Sequence, residues 1–334
     1  MFAKLLNKNL EPLVDNLVEK EKFIVNDVHT NIDATNVVPI DDSTELNFWQ
    51  ENFQQKPLRK FNENDFSDKN SILSKIAFRE PNSDIRQFSE KVKAPNNYSE
   101  ANRHLPTVEK KVYDLRNVDD VNMHNYGVEL VRLEKPMVLD LEGNVYENIK
   151  PYLDNIFKGV NRVFPEADKI ILRSALVRNI VKDSNDKGIG SAHSDFTCSS
   201  GAQCRSSLIE KGLLKEGKKY IFINAWMHVN QKSQTSTLAF MSGKYAKAAD
   251  MGIIEVKSKE FKNSSYRLKN SSNHFWGYFH DLDIDELVIF KQFDSEKAKN
   301  YQNHSDVTYH SAVRLSEGID IRSSMELRFI ITFD

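Results

Sequence analysis

The sequence predicts a mainly β fold with flanking helices, of the double-stranded β-helix or jelly-roll type. From Val112 onward, short runs rich in Val, Ile, Phe, Tyr and Trp alternate with clusters of Asn, Asp, Ser and Gly, the signature of many short strands joined by turns. Only two stretches keep a convincing helical period. No repeat or low-complexity tract intervenes, and sandwiches and barrels of this kind run past about 200 residues as one unit.

Leu10, Leu13, Val14, Leu17 and Val18 predict an amphipathic N-terminal helix. Residues 26–86 are polar and irregular, and residues 93–111 read as an extended connection around Pro95 and Pro106. Residues 1–93 are therefore expected to be a helical or irregular extension packed on a core of residues 94–334. In that core, strands are predicted at Val112–Arg116 and Tyr126–Leu133. A helix follows at Ile149–Val163, stopped by Pro165, because Ile149, Tyr152, Leu153, Ile156, Phe157, Val160 and Val163 share a face. Strands are then expected at Ile170–Ile180, Lys219–Val229, His274–Phe279, Glu286–Phe293, Val307–Leu315 and Met325–Phe333. A short helix over Glu296–Asn303 would be capped by Asp294 or Ser295.

Composition narrows the function. The 334 residues are 40% hydrophobic, enough for a sizeable core, and the formal net charge of −2 gives no general pull toward nucleic acid or anionic lipid. The longest apolar run, Tyr220 to Val229, is far short of the roughly 20 residues of a spanning helix. The N-terminal stretch has neither the pattern of a signal peptide nor the acid-poor character of a transit peptide, so a cytoplasmic protein with a small-molecule partner is expected. Two cysteines, Cys198 and Cys204, rule out a disulfide framework.

The chemistry centres on Gly190 to Phe196. On a strand, His193 and Asp195 project from one face and can offer an imidazole nitrogen and a carboxylate oxygen to one ion. His310, in the β-prone segment Val307–Val313, can add a second imidazole. Two histidines and one carboxylate form a face with open positions, the arrangement of non-haem iron(II) oxygenases. Further on, Arg322, Ser324, Glu326 and Arg328 alternate with Met325, Leu327 and Phe329, giving a strand with one polar and one apolar face. A guanidinium at Arg322 can grip a carboxylate through two parallel hydrogen bonds, with Ser324 adding a third. Each piece also has a plain reading: a hydrogen-bonded structural histidine, or a surface strand whose polar face meets water.

As an ordered set, His-x-Asp, a distant His and Arg-x-Ser resemble the iron(II)/2-oxoglutarate-dependent dioxygenase superfamily. Segments Val112–Arg116, Gly127–Leu130, Ile223–Trp226, Phe275–Phe279, Asp285–Ser295, His310–Ala312 and Arg322–Arg328 narrow the resemblance to the group of fungal gibberellin desaturase and cephamycin methoxylation proteins. It covers the chain from about Ala94 to the end. This resemblance implies iron(II) on His193, Asp195 and His310, and 2-oxoglutarate on Arg322 and on Ser324 or Arg328. With O2 as the third participant, it implies C–H abstraction on a natural-product substrate, ending in hydroxylation, desaturation or ring closure. The sequence departs from the group where Arg322-Ser323-Ser324 replaces Arg-Glu-Ser and where Met227 stands in place of an Arg. Candidate substrate contacts are Arg173, Arg178, Arg205, Asn224 and Trp226, with Lys182 as a further cation. If the cations converge, an anionic substrate follows, and algal kainoid synthases, which close a ring on an N-prenylated glutamate, are one consistent branch. Two other functions stay open at this point: a non-catalytic jelly-roll binding module, and a zinc-dependent hydrolase using His193, Asp195 and Cys198 or Cys204.

Overall fold

The structure, a computed structural model, describes residues 23–25, 71–79, 85–88, 105–116, 118, 120–141, 144–179, 191–257, 262–317 and 322–334. The predicted helix at Leu10–Val18 lies outside these residues, as does Gly190 at the start of the Gly190–Phe196 segment.

Strands β1 (Phe23–Val25), β2 (Ser71–Ala77), β3 (Ile85–Phe88), β4 (Thr107–Asp114) and β5 (Val128–Arg132) come first. Helices α1 (Val145–Ile149) and α2 (Leu153–Val163) follow, then β6 (Lys169–Asn179) and β7 (His193–Ser194), then α3 (Cys198–Ala202) and α4 (Cys204–Glu210). The chain continues through β8 (Tyr220–His228), β9 (Ser236–Ser242), β10 (Met251–Lys257), β11 (Lys262–Leu268), β12 (Trp276–Tyr278) and β13 (Glu286–Asp294). It ends with α5 (Ser295–Ala298), α6 (Asn303–Asp306), β14 (Thr308–Arg314) and β15 (Ser323–Thr332).

These strands form two sheets, a six-stranded one in the order β1-β6-β15-β8-β13-β5 and a nine-stranded one in the order β2-β4-β12-β9-β14-β7-β11-β10-β3. The curled, largely antiparallel pair is a jelly roll, as predicted. Three of its strands come from the segment expected to be an extension: β2 pairs with β4 along its length, β1 joins β6 and β3 joins β10. Sequence patterning missed β2 because as an edge strand it buries only part of a face; Leu73, for example, is 67% exposed.

Strand β8 shows how the layers are built. All nine of its residues are buried. Ile221, Ile223, Ala225 and Met227 join Ile156, Phe157 and Val160 in a cluster beneath α2, while the alternate residues Phe222, Asn224, Trp226 and His228 turn into the barrel. A strand covered on both faces reads as a near-continuous apolar run, which made it easy to find. The helix predicted over Ile149–Val163 is instead two helices joined by the 3-10 turn Lys150–Tyr152. Pro151 lies in that turn and cannot donate the backbone hydrogen bond a continuous helix would use there. Asp294 caps α5 as expected, accepting from the amides of Glu296 and Lys297 at 2.9 and 3.4 Å. The helix stops at Ala298 rather than running to Asn303, and Tyr301 adopts a left-handed φ of 54° before α6 begins.

Inside the barrel the two sheets meet through aromatics. Phe290 of β13 packs 5.1 Å from Phe240 of β9 and 5.0 Å from the His310 ring of β14. A second apolar cluster holds Phe196, Phe222, Phe293 and Ile330.

At the barrel edge, Glu286 accepts from both terminal nitrogens of Arg116 at 2.7 and 2.9 Å, and Arg132 approaches the same carboxylate at 3.3 Å. Burial alone would raise this carboxyl, but the Arg116 hydrogen bonds, the Asp283 amide and Arg132 hold it down at about 2. A depressed folded pKa means that the stabilisation is complete above the unfolded value of about 4.5 and is lost as pH falls toward 2. Discounted for its partly exposed arginine partners, it amounts to about 2–3 kcal/mol. Glu286→Gln is therefore expected to flatten the acid limb of a stability-versus-pH curve measured by urea denaturation. An unchanged acid limb would show that Glu286 does not carry this dependence.

Candidate metal centre

His193 and His310 meet because β7 and β14 are antiparallel neighbours in which these two residues stand directly opposite each other. Opposed residues project from the same face, and the rings lie 4.1 Å apart at 47°. Asp195, two residues on, returns to that face with its Oδ1 3.6 Å from His193 Nε2 and 4.0 Å from His310 Nε2. One ligand atom from each residue falls within 4.8 Å of the others.

Protonation fits the same picture. His193 Nδ1 lies 2.7 Å from the Ser191 carbonyl, a bond that requires the proton on Nδ1 and leaves the Nε2 lone pair toward the centre. Burial pushes both imidazoles below their ordinary value; for His193, the neighbouring His310 and Arg267 push the same way. Burial would raise the Asp195 carboxyl, yet Arg328, the two imidazoles and Asn224 hold it below the usual carboxylate range. A neutral-ring lone pair of His193, the His310 imidazole and an anionic oxygen thus converge. A cation favours such a cluster, and its donor set suits a borderline metal such as iron(II).

The second carboxylate oxygen is engaged. Asp195 Oδ2 accepts from Asn224 Nδ2 at 2.8 Å and pairs with Arg328 Nε at 3.5 Å. Arg328 is itself held by Glu326 at 2.6 Å. Only Oδ1 then faces the imidazoles, so the carboxylate is set for one-oxygen ligation. Asn224 is fully buried, and its Oδ1 has no hydrogen-bond partner among the described residues.

The structure places the remaining predicted residues unevenly. Arg322 is 2% exposed, with its guanidinium 6.0 Å above the Trp226 ring, at the start of the strand whose inner face carries Ser324, Glu326 and Arg328. Arg178 stands opposite the buried Ser324 across the β6–β15 pair. Arg173 lies over the rings of Phe196 and Phe222 at 5.4 and 5.6 Å. Arg205 is engaged elsewhere, against the Tyr220 ring at 5.3 Å and the Lys218 carbonyl at 3.1 Å. Lys182 is not among the described residues.

The segment that follows Asp195 and Phe196 is a capped helix, α3, leading into α4. Thr197 and Ser200 cap α3 reciprocally and both bond to Ser264, which fixes the segment against β11. Its cysteines sit in the apolar cluster with Phe196 and Phe293 rather than at the centre. Cys198 Sγ accepts from the Tyr266 hydroxyl at 3.4 Å, and burial pushes the Cys204 thiol up, away from the thiolate form that zinc takes. Among the described residues, only His193, Asp195 and His310 converge as metal ligands.

Fold and centre together define a double-stranded β-helix with a His-x-Asp and distant-His cluster inside the barrel. The chain belongs to the family described as "YDMC: Oxidoreductase/YMDC permease-like domain", whose profile matches residues 76–332. Among the described residues, no helix is long and apolar enough to cross a membrane. No curated protein matches the sequence. Solved structures with a similar fold include the iron and alpha-ketoglutarate-dependent endoperoxidase NvfI, with a TM-score of 0.61 and 16% identity over 79% of this chain and 99% of that one. A second conformation of the same endoperoxidase and a single-site variant each give a TM-score of 0.62, again at 16% identity over 79% of this chain and covering 99% and 97% of those chains. At that identity the likeness is one of fold.

Proposed function

We propose that this protein is an iron(II)/2-oxoglutarate-dependent oxygenase acting on a small molecule. The observation that carries the reading is the convergence of His193, Asp195 and His310 within 4.8 Å, with both histidines buried in the barrel. Membership of a family described as oxidoreductase and a fold shared with an iron and alpha-ketoglutarate-dependent endoperoxidase support it. When bound, iron(II) with 2-oxoglutarate and O2 supplies oxidative removal of a substrate hydrogen atom, with 2-oxoglutarate leaving as succinate and CO2.

This chain's residues would divide the remaining work. His193, Asp195 and His310 hold the metal, and Asn224 and Arg328 fix the carboxylate through its outer oxygen. Arg322 and Ser324 take the distal carboxylate of 2-oxoglutarate, whose burial without a partner would be costly. Phe290, Phe240 and Trp226 exclude water. The unpartnered Asn224 Oδ1 offers an acceptor to a substrate N–H or O–H.

Anaerobic addition of Fe(II) and 2-oxoglutarate is expected to give a weak visible charge-transfer band, and His193→Ala is expected to abolish it. Well-folded protein with no band, or tightly held zinc, would overturn the reading. Hydroxylation, desaturation and ring closure differ only in how the substrate is held. With Arg173 and Arg178 beside the barrel interior, we favour an anionic natural-product precursor, including an N-prenylated acidic amino acid of the kainoid type. Succinate release screened across acidic and neutral precursors tests that choice.

A further inference from the structure

We propose that Gln292, which ligates nothing itself, is a positioning residue that sets the spacing between the Asp195 carboxylate and the His310 imidazole; this rests on reading the triad as a metal site.

In the β13–β8 ladder, Lys291 faces Ile223 and Phe293 faces Phe222, so Gln292 is an extra residue at a bulge. A bulge re-aims its side chain out of the regular alternation. Here it carries a carboxamide into the fully buried interior, within an otherwise mostly apolar strand. Gln292 Oε1 accepts from the Asp195 amide at 2.8 Å and from the Ser194 hydroxyl at 3.4 Å. Gln292 Nε2 donates to the Thr308 carbonyl at 2.8 Å and to the Lys291 carbonyl at 2.9 Å. One amide therefore ties the six-stranded sheet to two neighbouring strands of the other sheet. Its acceptor holds the backbone of one ligand, and its donor holds the backbone two residues before another.

The strut is needed because the ladder is thin here. Strand β7 ends at Ser194 and meets β14 only through the His310–His193 pair, so Asp195 lies beyond regular pairing. The bond from Gln292 replaces the missing ladder contact at the Asp195 amide. The other end of the strut is anchored too: Thr308 Oγ1 donates to the Gly127 carbonyl at 2.7 Å, and the Lys291 amide donates to the same carbonyl at 3.0 Å. Gly127 takes a φ of +83°, and a Cβ there would lie 2.7 Å from Thr308 Oγ1, so glycine keeps this corner closed. A metal site tolerates about 0.5 Å of ligand displacement, so loss of the strut is expected to be felt at the metal before it is felt in the fold.

The experiment is an anaerobic Fe(II) titration with 2-oxoglutarate present, following the charge-transfer band. It compares wild type, Gln292→Met, Gln292→Asn and, as a destabilised control, Asn155→Ala. Asn155 bonds the Glu134 amide at 2.9 Å from within α2 and makes no contact with the triad. Gln292→Met keeps the volume and removes all four hydrogen bonds of the carboxamide, while Gln292→Asn keeps the amide but shortens its reach. Both are expected to unfold cooperatively and to bind Fe(II) about 10- to 100-fold more weakly with a displaced band, whereas Asn155→Ala melts lower with unchanged affinity. Gln292 variants that melt lower but bind like wild type would overturn the positioning role alone. A wild type without a band would overturn the metal reading and this proposal with it. Hydrogen exchange on the unaltered protein gives a check that no variant's folding can confound: the Asp195 amide is expected to exchange slowly, and fast exchange overturns the strut.

Discussion

Asp195→Ala is expected to abolish iron-dependent activity and to weaken Fe(II) binding by more than 100-fold, beyond the roughly 10- to 100-fold typical of losing an outer hydrogen-bond partner. The carboxylate is the anionic member of the donor set, and the two imidazoles are neutral because burial disfavours their charged forms. Without it, two neutral nitrogens remain to offset the dehydration of a divalent ion. The metal-free fold should change much less. Asn224 Nδ2 loses its acceptor, at a cost of about 1–3 kcal/mol, but Arg328 keeps Glu326 at 2.6 Å. Thermal melts separate the two effects, because a ligand at 100 times its dissociation constant stabilises the folded state by about 2.7 kcal/mol. Wild type is expected to shift upward with Fe(II) and the variant not to shift at all. A variant that keeps the wild-type shift would show that Asp195 does not ligate.

Where a strand carries a run of aliphatic and aromatic residues, its fold was legible. Strands β6, β8, β13, β14 and β15 were found within a few residues of their observed ends, since alternation or a continuous apolar run is the direct imprint of burial. Strands β9, β10 and β11 were missed. Ser236–Ser242 is buried at all seven positions, yet it carries serine and threonine at both ends and so lacks the aliphatic signature. Lys262–Leu268 begins Lys-Asn-Ser-Ser, which reads as a turn, and is held in the sheet by backbone pairing with β10 and β7.

At the centre, alternation alone put His193 and Asp195 on one face, but only the register of β7 against β14 brings His310 opposite His193. Sequence does not encode register directly, which is why that pairing needed an ordered set of motifs to suggest it. Arg328, expected as a contact for 2-oxoglutarate, pairs with Asp195 and Glu326 on the inner face of its strand. Gln292 went unnoticed, although a carboxamide in the run Val288-Ile289-Phe290-Lys291-Gln292-Phe293 is the kind of buried polar residue that demands a partner.

Arg322→Ala is expected to raise the KM for 2-oxoglutarate far more than it alters Fe(II) affinity. The guanidinium is buried, and the strand that follows it runs past Ser324 and Glu326 to Arg328, which touches the ligand Asp195. Arg322 therefore stands at the other end of the polar face from Asp195, where the proposed function puts the second carboxylate of 2-oxoglutarate. Removing one partner of a desolvated charge pair costs about 2–5 kcal/mol, or roughly 30- to 5,000-fold in affinity. Arg322→Lys should recover only part of this, because an ammonium lacks the planar fork and sits differently over the Trp226 ring. Saturating 2-oxoglutarate should restore much of the turnover in either variant, since the chemistry at the triad is untouched. An Arg322→Ala protein with unchanged KM for 2-oxoglutarate would place the anchor elsewhere, and a proportional loss in Fe(II) binding would mean that the arginine supports the barrel rather than the co-substrate.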